Sequence, residues 1–316
     1  MNIAPLVLFV YNRPKHSLRT LEAIKKNYLS ANTKLYIFAD GPKENTTDKE
    51  LFEIKETRKL LREQQWCGEV EIIESIKNVG LAKSIENGVS RIMELHGKAI
   101  ILEDDIVTSP YFLTYMNEAL HLFENRLDIG AINAYAIDFL SKNDFPEYFL
   151  IYNSDCWGWA TWKDRWKDYI HDAKFLKDQL IKLNKLHLFE FGGHIPILDA
   201  QIEGRIDTWD VQWHAVNIIQ NRKSVFSKHT FIQNIGQDGS GTHYTIVPEN
   251  MDEHKVPLNM YDVSLANFIL DNPLEFIPRI EKKFRKHYLK QFQIPIHKRG
   301  INLLKRLIKN LIKKTI

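Results

Sequence analysis

The residues best suited to chemistry lie where apolar runs end. Glu103-Asp104-Asp105 follows directly on Ala99-Ile100-Ile101-Leu102, so three carboxylates crowd the junction of a buried strand and a loop. Carboxylates placed in this way repel one another unless a cation neutralises them. Hard divalent ions take such oxygens, often together with substrate phosphates. The same triplet also reads as a cap, with Asp105 or Ser109 opening a helix near Pro110. Asp40-Gly41-Pro42 ends a second apolar run and is equally a plain Asp-Gly turn. Tyr11-Asn12-Arg13 ends the first, and Pro14 suits the loop before a helical pattern of Leu18, Leu21 and Ile24.

Further candidates lie in the second half. A helix over 207–220 puts Asp210, His214 and Asn217 on one face, beside an apolar face of Trp209, Trp213 and Val216. Asp210 has the chemistry of a general base for an attacking hydroxyl. It also reads as an acidic first-turn residue favouring the positive end of a helix capped by Asp207. His243 closes a Gly-rich polar loop, Asn234 to His243, as a metal or diphosphate ligand or as a structural histidine. Four of the seven tryptophans fall between Trp157 and Trp166. Trp159, Trp162 and Trp166, at i, i+3 and i+7, predict a core-facing helical stripe. Trp157 precedes that stripe and is the candidate for stacking on an acceptor sugar.

The elements that must position these groups alternate. Strands are predicted at 6–10, 34–39, 70–73, 99–102 and near 129–133, with helices after each of the first four. That alternation implies a mostly parallel sheet with helices on both faces. Such sheets bind ligands beyond the carboxyl ends of their strands, so Tyr11-Asn12-Arg13, Asp40 and Glu103-Asp104-Asp105 should share one rim.

Composition narrows the field. The 316 residues are 44% hydrophobic and 26% charged, ample for a sizeable core, and disorder is excluded. Cys67 and Cys156 cannot form a disulfide framework. Residues 279–316 hold 13 Lys/Arg and one acidic residue, whereas 1–278 carry 30 basic and 39 acidic residues. An acidic globule with a basic tail points away from nucleic acid. In 298–316, Ile301, Leu304, Ile308 and Leu311 form a stripe flanked by lysines, which fits a helix lying on an anionic membrane or one packed on the globule. No charged-then-apolar leader and no run of ~18 apolar residues is present. The expected location is therefore cytoplasmic, at most peripheral on the inner face of a membrane. P-loop, H-E-x-x-H, G-x-S-x-G and an early G-x-G-x-x-G are all absent.

The order Y-N-R-P, A-D-G, N-x-G before a helix, and E-D-D at the end of strand four resembles the nucleotide-sugar-binding half of GT-A glycosyltransferases. E-D-D is most similar to the N-acetylglucosaminyltransferase-I-like branch. C-W-G-W-A-T-W, W-D-V-Q-W and N-I-G-Q-D-G-S-G-T-H resemble bacterial sugar transferases of the haemolysin-like group. The resemblance covers about residues 4 to 245. It implies a GT-A type α/β/α sandwich with a donor half (1–133), an acceptor and catalytic half (134–278) and a basic helical tail (279–316).

It also implies an inverting transfer, dependent on Mn2+ or Mg2+, from a nucleotide (UDP) sugar to a glycan or lipid-linked acceptor. Tyr11, Asn12 and Arg13 would line the nucleoside pocket, and Asp40 would accept from a uracil-like base. Asp104 would contact ribose or sugar, and Glu103 would support the site. Asp105, joined by His243, would hold the metal. Asp210 would be the base, with Trp157 and His214 on the acceptor side. Related enzymes often carry arginine where Ile85 stands, and Lys83 would supply that phosphate contact. The alternative class is a non-catalytic membrane-associated or glycan-binding protein with this fold.

Overall fold

Leu6-Val7-Leu8-Phe9-Val10 is apolar on both faces, and it forms the central strand β1 (Leu6–Val10), buried throughout. The computed structural model describes residues 2–137, 140, 145–191, 193–236, 238, 257–262, 264, 265, 267, 269 and 274–291, the last five without their side chains. His243 and the 298–316 stripe lie outside the described residues.

Strand β1 pairs in parallel with β2 (Lys34–Ala39) and β4 (Lys98–Glu103), so that Leu8 lies between Ile37 and Leu102. β3 (Glu69–Glu74) completes one side. The other side adds β8 (Trp159–Trp162), β6 (Ile129–Asn133), β9 (Lys223–Ser227) and β7 (Tyr148–Ile151), in the order β3-β2-β1-β4-β8-β6-β9-β7. Only β8 and β7 in this sheet run against their neighbours, so it is mostly parallel. A two-stranded ribbon of β5 (Ile106–Thr108) and β10 (Ile232–Asn234) sits beyond the end of β4.

Alternation along each strand feeds two cores. Leu6, Leu8 and Val10 pack with Leu21 and Ile24 of α1 (Pro14–Lys25) and with Phe112 and Met116 of α4 (Phe112–Leu122). Val7 and Phe9 pack with Ile85 and Val89 of α3 (Leu81–His96) and with Trp213 and Val216 of α9 (Asp210–Ile219). The result is the expected three-layer α/β/α sandwich. On the first face, α2 (Asp48–Leu60) starts at the Thr47–Glu50 capping box. On the second, α6 (Ala173–Lys182), α7 (Leu186–Phe189) and α8 (His194–Ile202) flank α9.

Two expectations are corrected. Trp159 and Trp162 are not on a helix, because Trp159-Ala160-Thr161-Trp162 pairs antiparallel with β4 and the ladder overrides a three-position periodicity. Three apart on a strand, they face opposite sides, Trp159 toward Trp209 and Trp213, Trp162 toward the Leu120 carbonyl. Trp166 follows in the short helix α5 (Lys163–Trp166) and stays buried. Second, α9 begins at Asp210, not at Asp207. The Asp207 carboxylate accepts instead from Gln201 Nε2 at 3.0 Å and lies 3.2 Å from His171 Nε2, so it caps nothing.

The described start of the basic tail is docked. In α10 (Pro278–Gln291), Glu281 accepts from the Tyr152 N–H at 2.9 Å, and Arg285 donates to the Leu188 and Glu190 carbonyls at 2.6 and 2.7 Å. Ile280 and Phe284 are buried in the first core. Among the described residues no helix is long and apolar enough to cross a membrane.

Candidate active site

Three parallel strands end on one rim, and each hands the chain to a polar turn. After β2, Asp40 is buried and fully engaged. Its Oδ1 accepts from the N–H groups of Gly41 (2.8 Å) and Val79 (3.0 Å), and its Oδ2 from Asn78 Nδ2 (2.9 Å) and the Gly80 N–H (3.1 Å). Four donors use the acceptor sites of a carboxylate. The bond to a uracil-like base expected of Asp40 is therefore not open to it. Asp40 instead fixes the Asn78-Val79-Gly80 turn that starts α3, where Gly80 takes φ +82 as the N-cap.

In the first turn of α3, Lys83 pairs with Glu86 at 3.0 Å on the exposed side of the helix. Ile85, at the position where related enzymes carry arginine, is fully buried in the second core. Tyr11, after β1, puts its hydroxyl out of water against the Lys43–Thr46 turn, without a hydrogen bond of normal geometry. Burial raises its pKa first, then Glu50 and Asp40. Asn12 is half-buried at the bend that follows.

Arg13 crosses from β1 to the carboxylates after β4. It is the N-cap of α1 yet makes no capping bond, because its guanidinium pairs with Asp104 through Nη2 and Nε and with Asp105 Oδ2 at 2.9 Å. Burial works against that charge, but Asp104 and then Asp105 raise the arginine pKa above its ordinary value. Two turns along α1, Thr20 donates to the Asp104 carbonyl at 2.8 Å, which holds the helix over the turn. Ser17, between Arg13 and Thr20 on that stripe, is fully buried with its hydroxyl unpartnered. His16 lies 3.1 Å from Asp238 and adds a favourable charge interaction at Asp104.

Beyond the ribbon, the Ile235 N–H donates to the Asp105 carbonyl at 2.9 Å. A Cβ on Gly236 would collide with Asp105 Oδ2 and stand 3.1 Å from Arg13 Nη1. The reading of Asp105 as a helix cap is also settled: α4 is preceded by Tyr111, whose N–H donates to Ser109 Oγ at 3.2 Å.

The carboxylates form one electrostatic unit across the two halves. Burial lifts the pKa of Glu103 well above the ordinary range, and Asp105, Asp104 and Asp210 push it further in that order. Asp104 is raised to about 6, because burial outweighs the opposing pull of Arg13. Asp210, 107 positions beyond Glu103 in the chain, thus lies close enough for its charge to act on Glu103. It starts α9, where it accepts from the Thr208 hydroxyl.

The sequence reading missed Asp155. Its backbone N–H donates to Asn133 Oδ1 at 3.0 Å, and its Oδ1 accepts from the Trp157 N–H at 2.8 Å. Burial raises its carboxyl to about 7 against the pull of that N–H, and Asp210 adds to the rise. The signal available was its place directly before Cys156-Trp157-Gly158, next to the tryptophan-rich segment. His16 was missed too, being one helical step past the Y-N-R-P motif.

Trp157 is half-buried against the edge of Tyr135, with ring centroids 4.8 Å apart. His214 is corrected: it is fully buried, with Nε2 against the Phe189 carbonyl at 3.1 Å, its ring stacked on Phe189 and tilted against His194. Burial first, then His194, holds its pKa well below 6.5. A neutral, enclosed imidazole in the second core cannot meet an acceptor at the rim.

Among the described residues no three His, Cys, Asp or Glu side chains converge as a metal site. A hard ion shared with substrate phosphates needs only one or two protein carboxylates. Asp105 engages Arg13 through Oδ2, which leaves its Oδ1 for such an ion. The donor set fits a divalent cation in kind.

No known family model matches the chain. No curated protein matches it either. Among solved structures it is similar to S. aureus TarS 1-349, at 9% identity and TM-score 0.38, over 74% of this chain and 61% of that one. It is also similar to S. aureus TarS (13%, TM-score 0.26, 40% of this chain and 21% of that one) and to UDP-glucose pyrophosphorylase complexed with UDP-glucose (10%, TM-score 0.37, 71% and 90%). The chain spans about three-fifths of TarS 1-349 and one-fifth of the longer TarS chain.

Proposed function

We propose that this protein is an inverting glycosyltransferase that moves a sugar from a nucleotide donor, a UDP-sugar, to a hydroxyl of a glycan or lipid-linked acceptor. One observation carries the reading: Asp210 acts electrostatically on the buried Glu103, neighbour of Asp104 and Asp105, although it comes from a separate motif and a separate layer. Transfer with inversion needs a donor site for a diphosphate and, across from it, a carboxylate to take the acceptor proton. The rim after β1 and β4 offers the first and the start of α9 the second.

In this reading Tyr11 and Asn12 border the nucleoside, with the Asp40-braced turn as its wall. Arg13 faces the diphosphate, since a guanidinium fork suits phosphate oxygens. Asp210 takes the proton of the attacking hydroxyl. Asp155, whose raised pKa suits proton exchange near neutrality, stands beside it. Trp157 gives the acceptor sugar an aromatic surface. Where a divalent ion is bound, Asp105 with Asp104 would hold it, and it would supply Lewis-acid neutralisation of the departing diphosphate.

A thermal-shift titration tests the donor assignment, because a ligand that binds only the folded chain raises its melting temperature. UDP-sugars should raise it, with and without manganese defining the cation's share. No shift with any nucleoside diphosphate sugar, under either condition, would remove the proposal.

A further inference from the structure

Resting on that reading, we propose that Arg13 is a gate on the cation site: its guanidinium closes Asp104 and Asp105 to free divalent ions and releases them only to an ion that arrives with a diphosphate. The guanidinium already neutralises the oxygens that a cation would need. It pairs with both oxygens of Asp104 and with Oδ2 of Asp105, so that only Asp105 Oδ1 stays outside its contacts, too little beside a guanidinium to hold a free ion. The three side chains are only 18%, 5% and 13% exposed. A naked ion entering here would push a mostly buried arginine off its partners and leave it unpaired, which is a strongly unfavourable exchange.

A diphosphate alters the exchange. Its oxygens offer the guanidinium a bidentate partner in place of the carboxylates. Arg13 is prepared for a further acceptor, because Nη1 is buried with no hydrogen-bond partner and lies near Gly236. The unpartnered, fully buried hydroxyl of Ser17 lies one turn along the same helix. Charge makes the same point. A diphosphate alone would meet Glu103, Asp104, Asp105 and Asp210 with one arginine among them, so ion and diphosphate each remove the obstacle to the other.

The coupling is therefore reciprocal, and each ligand tightens the other by the same factor, about tenfold or more. The test is Mn2+ binding followed by the loss of the free-ion electron paramagnetic resonance signal, using the full chain with and without UDP, alongside Arg13→Met. The native protein should leave Mn2+ free without UDP and retain it with UDP. Arg13→Met should retain Mn2+ without UDP. Equal Mn2+ retention by the native protein with and without UDP would overturn the gate, and so would an Arg13→Met variant that gains no affinity. If Arg13→Met does not fold, Arg13→Lys keeps the charge but loses the fork, and it should bind Mn2+ alone more tightly than the native chain. A native protein that never binds UDP removes the donor reading and the gate together, whereas one that binds UDP yet holds Mn2+ equally with and without it removes the gate alone.

Discussion

Two strand exits on the same rim place carboxylates in opposite circumstances. After β2, a single carboxylate, Asp40, receives four N–H donors and no cation. After β4, Asp104 and Asp105 share one guanidinium beside the buried Glu103, and Asp210 from the second half presses on both Glu103 and Asp155. The first arrangement is complete within the fold and can only stabilise it. The second is unfinished, and an excess of buried negative charge persists where a cationic or hydrogen-bonding ligand can relieve it. Each exit also has its own glycine. A Cβ on Gly41 would stand 2.6–2.7 Å from Lys77 backbone, whereas one on Gly236 would press on the Arg13–Asp105 pair.

The comparison can be broken most forcefully at the base. Asp210→Asn should cut turnover by about 10²–10⁴-fold while UDP binding, followed by calorimetry, stays near native. Normal turnover would take Asp210 out of the mechanism. At the finished exit, Asp40→Ala strips an acceptor from four donors and should cost about 1–3 kcal/mol in urea unfolding. Gly41→Ala should cost a similar ~1–3 kcal/mol through overpacking against backbone. If both variants keep native stability, the β2 exit is not the brace described here.

Gly236→Ala should leave unfolding within about 1 kcal/mol of native, because the clash meets a side-chain tip rather than backbone. Its effect should appear in UDP affinity. A stability loss as large as that of Gly41→Ala would erase the distinction between the two exits.

The smallest effect concerns pH. The Asp155 carboxyl is raised from 3.8 to about 7 in the folded chain, so between these values the folded state binds more protons than the unfolded one. Stability contributed by this group is full below about pH 4 and falls as pH rises toward 7. Asp155→Asn should therefore flatten that part of a melting-temperature-against-pH curve and stabilise the protein at the alkaline end. A curve with unchanged slope would place the Asp155 carboxylate in contact with water.

Local pattern was enough for the N-terminal strands. The runs at 6–10, 34–39 and 99–102 are apolar on both faces, so each had to be a doubly covered strand, and the polar residues after them had to share the rim. Asp210 was singled out by the resemblance carried by W-D-V-Q-W rather than by local pattern, which reads it equally as a first-turn acid. What local pattern could not supply was anything set by partners distant in the chain. Trp159 and Trp162 became a strand because β4 offered a ladder, and His214 was enclosed because Phe189 and His194 close over it.

The same limit governs the chemistry. The sequence determined which carboxylates exist and on which turns they stand. Only tertiary structure decided that Asp40 is saturated, that Arg13 holds Asp104 and Asp105, and that Asp210 adds to the charge cost of Glu103 and of Asp155. Hydrogen-bond satisfaction and burial are properties of neighbours brought together by folding, and those neighbours lie tens of residues away along the chain.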